Sequence, residues 1–123
     1  MSELNLNDVI RRFALISGLE GEELSRWLPV CVDAMAEVHR LAVREALTNE
    51  ENSRRLSNLA GVLAYYRYVL YTSEQVRSFG AGSVSVTYRD DALKSAQRMW
   101  ETELQAVSEL LTPSDFCFQR VRV

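Results

Sequence analysis

Few residues of this chain have the type and spacing that chemistry requires. The 123 residues hold one histidine, His39, and two cysteines, Cys31 and Cys117. Neither cysteine belongs to a Cys-x-x-Cys pair, and with one His no zinc quartet can be assembled, so neither metal nor cofactor is expected. Glu37 lies two residues from His39 and hence on another face of a helix, and Asp33 and Glu45 are no better placed. Cys31 sits in an apolar helical run and reads as a small buried hydrophobe; Cys117, between Phe116 and Phe118, takes the same reading. Asp90-Asp91 has the look of a paired-carboxylate site, but its place before an apolar helix favours capping. Gly80-Ala81-Gly82 is the one glycine-rich spot. A phosphate cradle needs a strand before it and a helix start after it; here a strand-like run follows, so a flexible turn is expected. With no Ser-His-Asp or Cys-His pair at compelling spacing, no catalytic residue is assigned and the chain is not expected to be an enzyme.

The aromatic residues form the one concentrated feature. Tyr65, Tyr66, Tyr68 and Tyr71 cluster near Arg67 and Arg77. Tyr65 and Tyr68 share a helix face and Tyr66 lies on another. Core packing with the hydroxyls at its edge ranks first, a protein interface second, and base stacking third.

The elements that would position these residues are mainly helical. Asn5 or Asn7 can cap a first helix through Ile10, Phe13, Ala14 and Ile16, which Ser17-Gly18 ends. Acidic residues at 20, 22 and 23 open a second helix whose stripe runs from Leu24 to Ala42, with a kink or short break at Pro29. A third helix is predicted from about Ser53 to Leu70. Residues 72–82 read as a loop. Residues 83–88 alternate with period two, are rich in β-branched side chains, and read as a strand. Asp90 or Asp91 then caps a fourth helix with a stripe of Leu93, Ala96, Met99, Trp100, Leu104, Val107, Leu110 and Leu111. The tail, 116–123, is again strand-like. The expectation is thus a single helical domain over 1–123. It is mainly α, a four-helix domain with a small two-stranded β element at 83–88 and 116–122, a loop and strand segment at 72–88, and an extended C-terminal tail at 116–123.

Composition agrees with a globular chain: 47% hydrophobic and 25% charged, with five Gly and two Pro. A chain of this length buries roughly two-thirds of its unfolded surface and needs no staple. Its net charge of −3 argues against a broad nucleic-acid surface. Thirteen of the 14 basic residues are Arg, Lys94 being the exception. Charge is uneven, −5 over residues 1–51 and +2 over 52–123, which suits either solvated helix faces or an acidic and a basic end that meet in an assembly. The first residues show no basic region followed by an apolar one, and no stretch nears the ~20 apolar residues that span a bilayer. The expectation is a protein made in the cytoplasm and soluble there.

Four blocks carry a family resemblance: residues 17–38 (SGLEGEELSRWLPVCVDAMAEV), 55–70 (RLSNLAGVLAYYRYVL), 76–86 (VRSFGAGSVSV) and 110–121 (LLTPSDFCFQRV). Their order and spacing resemble the head-to-tail connector (adaptor, head-completion) proteins of tailed phages and prophages, over roughly residues 17–121. The chain departs from that pattern at Ser83, where the pattern has an acidic residue. The resemblance implies a non-enzymatic virion structural protein that joins the portal of the head to neck and tail proteins. It further implies a homo-oligomeric ring in assembly, compatible with a monomer in isolation. The place of action would be the virion, and the host bacterial cytoplasm during assembly, with no sequence-specific nucleic acid and no membrane as partner. An extended segment can add a strand to a neighbour's exposed edge, and head-to-tail contacts close into rings when the rotation fits. The residues expected to order or form such interfaces are Phe79, Val84, Val86, Phe116, Phe118 and Val121, with Arg77, Arg120 and Arg122 as rim charges. The alternative is a cytoplasmic helical interaction or regulatory module unrelated to virions.

Overall fold

The computed structural model describes residues 4–78 and 83–112, with side chains over 4–73 and 91–112. The described chain is mainly α-helical. It contains α1 (Leu6–Ser17), α2 (Gly21–Arg26), α3 (Leu28–Leu41), α4 (Glu50–Ser78) and α5 (Ser83–Ala106), with short 3₁₀ turns at Arg44–Thr48 and Ser108–Leu110.

Asn5 begins α1 as expected: its Oδ1 accepts from the backbone N–H of Asn7 at 2.8 Å, satisfying an orphan donor of the first turn. Gly18 ends the helix in the left-handed conformation, φ +78°, donating to the Ala14 carbonyl at 2.8 Å. The expected second helix is broken in two at Trp27, so the described residues hold five α-helices and not four. Pro29 is the cause. It occupies the second position of α3, where its missing N–H leaves no hydrogen bond unmade. Asn49 caps α4, its side chain accepting from the Asn52 N–H at 3.1 Å.

At 29 residues, α4 is about 43 Å long. Helices α1, α3 and α5 all pack on it. Its residues 59–64 are buried without interruption, so the helix shows core on every side there. Gly61 allows α1 to approach. A Cβ at that position would stand 2.6 Å from Arg12 Cβ and 2.9 Å from the Val9 carbonyl oxygen. Val9 and Phe13 of α1, Cys31, Ala34 and Val38 of α3, and Trp100 and Leu104 of α5 complete one core around Leu56, Leu59 and Leu63.

Two sequence expectations are corrected. Residues 72–78 are not loop but the last turns of α4, and 83–88 are not a strand but the first turns of α5. No Gly or Pro falls between Gly61 and Gly80, so nothing stops α4. The alternating run is only six residues long. A β-branched residue costs a helix only tenths of a kcal/mol, and extending an existing helix adds one hydrogen bond per residue fixed. The Asp90 and Asp91 capping roles fall with the strand, because both lie inside α5. The expected β ribbon therefore lacks its first strand, and its second, 116–122, lies outside the described residues. Among the described residues β pairing is limited to one antiparallel bridge between Ala42 and Leu111. There Val43 N–H donates to Leu110 O at 2.9 Å and Thr112 N–H to Leu41 O at 2.8 Å, tying the end of α3 to the chain beyond α5.

Candidate functional site

Of the sequence candidates for chemistry, Cys31 resolves into packing, while Cys117 and Gly80-Ala81-Gly82 lie outside the described residues. Cys31 is fully buried, and desolvation pushes its thiol up to about 11, so it stays protonated and inert at neutral pH. His39 is exposed on α3. On the same helix Glu37 pairs with Arg40 at 2.6 Å. No group of three or more His, Cys, Asp or Glu that could hold a metal occurs among the described residues.

The tyrosines divide as their spacing suggests. Tyr65, Tyr66 and Tyr68 are partly buried and pack against the core, and Tyr71 is half exposed. Tyr68 is the centre of an aromatic group. It meets Phe13 edge-on at 5.8 Å and Trp27 edge-on at 4.8 Å, and lies 6.3 Å from Tyr65. Trp27 in turn stacks on Tyr71 at 6.1 Å. The break in the chain at Trp27 thus places its indole against the outer half of α4. Tyr66 belongs to another side: burial raises its hydroxyl pKa and the Glu101 carboxylate of α5 raises it further.

Of the expected interface residues, Phe79, Phe116, Phe118, Val121, Arg120 and Arg122 lie outside the described residues. Arg77 falls in the last turn of α4, and Val84 and Val86 in the first turn of α5. Their side chains are also outside the described set, but their backbone positions bracket the α4–α5 connection.

A feature the sequence reading missed is a cleft of about 220 Å³ on the outer side of the α1–α4 crossing. Asp8, Arg11, Arg12, Leu15, Arg54 and Asn58 line it. The visible signal was two tandem pairs, Arg11-Arg12 and Arg54-Arg55. Neighbours on a helix diverge by about 100°; Arg11 and Arg12 still both border the cleft, but Arg54 and Arg55 part. Arg55 turns to the end of α5, donating to the Ala106 carbonyl at 3.2 Å and to Glu109 at 3.0 Å. There a backbone hydrogen bond, and then the Arg55 guanidinium, hold the Glu109 carboxyl below its usual range. Arg54 faces the cleft instead.

Within the cleft, Arg11 pairs with Asp8 at 3.3 Å. Arg12 reaches Glu103 of α5 only at 3.8 Å, and its Nε is buried with no acceptor. Arg54 makes no ion pair among the described residues.

Comparison with protein-family models, with curated proteins and with solved structures found no significant match to this chain. No helix among the described residues is long and apolar enough to cross a membrane.

Proposed function

We propose that the chain is a non-enzymatic virion structural protein of a tailed phage or prophage, an oligomeric adaptor that joins the portal of the head to the tail. The observation that carries this is the order and spacing of the four sequence blocks at 17–38, 55–70, 76–86 and 110–121. A helical body built around one long central helix is a suitable unit for a ring, because it leaves segments at its ends to meet neighbours. The exposed acidic turn at Glu20, Glu22 and Glu23 offers one charged surface for such a contact.

The α4–α5 connection, with Arg77, Phe79, Val84 and Val86, and the tail, with Phe116, Phe118, Val121, Arg120 and Arg122, are the proposed contact segments. Since 83–88 are helical, strand addition is left to the tail alone. Electron microscopy of the purified protein mixed with its cognate portal tests the proposal. An added ring of density beneath the portal is expected. Absence of any complex across a range of salt concentrations overturns it.

A further inference from the structure

We propose that the cleft between α1 and α4 binds a phosphate group, free or on a small monoester. Its lining holds the guanidinium groups of Arg11, Arg12 and Arg54 against the single carboxylate of Asp8, leaving two positive charges. Glu103, 3.8 Å from Arg12 on the α5 side, offsets part of this charge, and a phosphate monoester, with about −1.5 to −2 at pH 7, answers the excess with one group. Guanidinium forks match phosphate oxygens in pairs, and Asn58 adds an amide that can donate or accept.

Two of the three arginines are under-used within the protein. Arg54 makes no ion pair among the described residues. Arg12 has a buried Nε without an acceptor and a distant partner, Glu103, at 3.8 Å. Arg12 Cβ and Cγ lie over Gly61, which holds the stem at the cleft wall. Asp8 and Arg11 pair with each other, so each offsets the other in part and Arg54 supplies the charge left over. At about 220 Å³ the cleft has room beyond a bare phosphate ion, and Leu15, 75% exposed at its rim, gives the organic part of an ester an apolar contact.

The test is an amide NMR titration of the full chain at pH 7.5, with ionic strength held constant by chloride. One arm uses inorganic phosphate, a second glycerol 3-phosphate and a third acetate. Saturable shifts confined to residues 8–15 and 54–58 are expected in the two phosphate arms. Tighter binding of glycerol 3-phosphate assigns the site to an ester, and equal binding assigns it to free phosphate; either result supports a phosphate site. Arg54→Gln should weaken binding at least fivefold while keeping the native spectrum, and Arg26→Gln on α2 should leave it unchanged. Lowering the pH to 5 should weaken binding, because the phosphate loses its second charge. Shifts that never saturate, that scatter over all arginines, that persist in Arg54→Gln, or that acetate reproduces would overturn the proposal.

Discussion

The two halves of α4 solve different packing problems. From Leu59 to Ala64 the helix is enclosed, with Leu56 and Ser57 leading into it: Leu56, Ser57, Ala60, Val62 and Ala64 are all fully buried, and Gly61 lets α1 cross at backbone contact. From Tyr65 onward one face stays buried, at Val69 and Ser73, while the other opens and carries tyrosines. Tyr65, Tyr66, Arg67 and Tyr68 are only partly buried, and Tyr71 is half exposed. Small residues serve where helices must come close, and tyrosines serve where a gap must be spanned with one end in water. The enclosed half should therefore be sensitive to added volume, and the open half to lost volume.

The largest effect should follow from Gly61→Val. Its Cβ alone would meet Arg12 Cβ at 2.6 Å and the Val9 carbonyl at 2.9 Å, and the backbone oxygen cannot step aside. The loss should be about 3 kcal/mol in urea unfolding. Gly61→Ala should fall between, since alanine returns up to about 1 kcal/mol of helix propensity. A valine variant as stable as the wild type would mean that α1 does not cross here.

Next comes Tyr68→Ala, which removes the centre of the aromatic group and leaves Phe13 and Trp27 without their edge-on partner. Truncating a large aromatic in a full core costs 3–5 kcal/mol. Tyr68 is partly buried, so about 2 kcal/mol is expected, with a change in Trp27 fluorescence. A loss as large as that of Gly61→Val would place the outer half of α4 in the core proper and erase the contrast.

The same contrast explains what could be read from the sequence. Within the stripe read from the sequence, Ala96, Trp100 and Leu104 form the buried face of α5, and Val107 is buried just beyond it, whereas Leu93 is only partly buried. Leu56, Leu59, Ala60 and Leu63 likewise mark one face of α4. The burial of Val62 and Ala64 did not follow from that stripe, because a helix enclosed on all sides has no polar face to set a period. Asn5, Gly18 and Pro29 announced their helix ends by local chemistry that acts whatever the tertiary structure. The strand read into 83–88 failed for the converse reason. A six-residue alternation is a weak local preference, and helix continuation overrode it. The cleft was not legible, since a site made of Arg11, Arg12 and Arg54 exists only once two helices 40 residues apart in sequence cross.

A smaller effect sharpens the enclosed half. Ser57 is fully buried, and its Oγ accepts from the Asn5 N–H and donates to the Ser53 carbonyl, both at 2.9 Å. Ser57→Ala leaves the Asn5 N–H without its partner at the start of α1, for about 1 kcal/mol. Amide exchange should accelerate at Asn5 and in the first turn of α1, and hardly elsewhere. Uniformly faster exchange would mean that Ser57 supports the core as a whole and not the entry of α1.

The smallest effect belongs to Tyr71, and it decides whether the aromatic group is a graded structure. Tyr71 stacks on Trp27 with an interplanar angle of 16°, yet half of its surface faces solvent. The area it removes from water is therefore about half that of a core aromatic, and its stack lies at the rim, where solvent competes. Tyr71→Ala should cost about 0.5 kcal/mol, a few degrees or less in melting temperature for a chain of this size. Its partner Trp27 keeps the Tyr68 contact at 4.8 Å, so the indole should hold its position and its emission should redden only slightly. If Tyr71→Ala instead matched Tyr68→Ala in cost, the stack would be a structural part of the bundle, and packing along α4 would not weaken toward its end. A cost near 0.5 kcal/mol places Tyr71 on the open face of α4, while Val69 and Ser73 hold the buried face of the same turns.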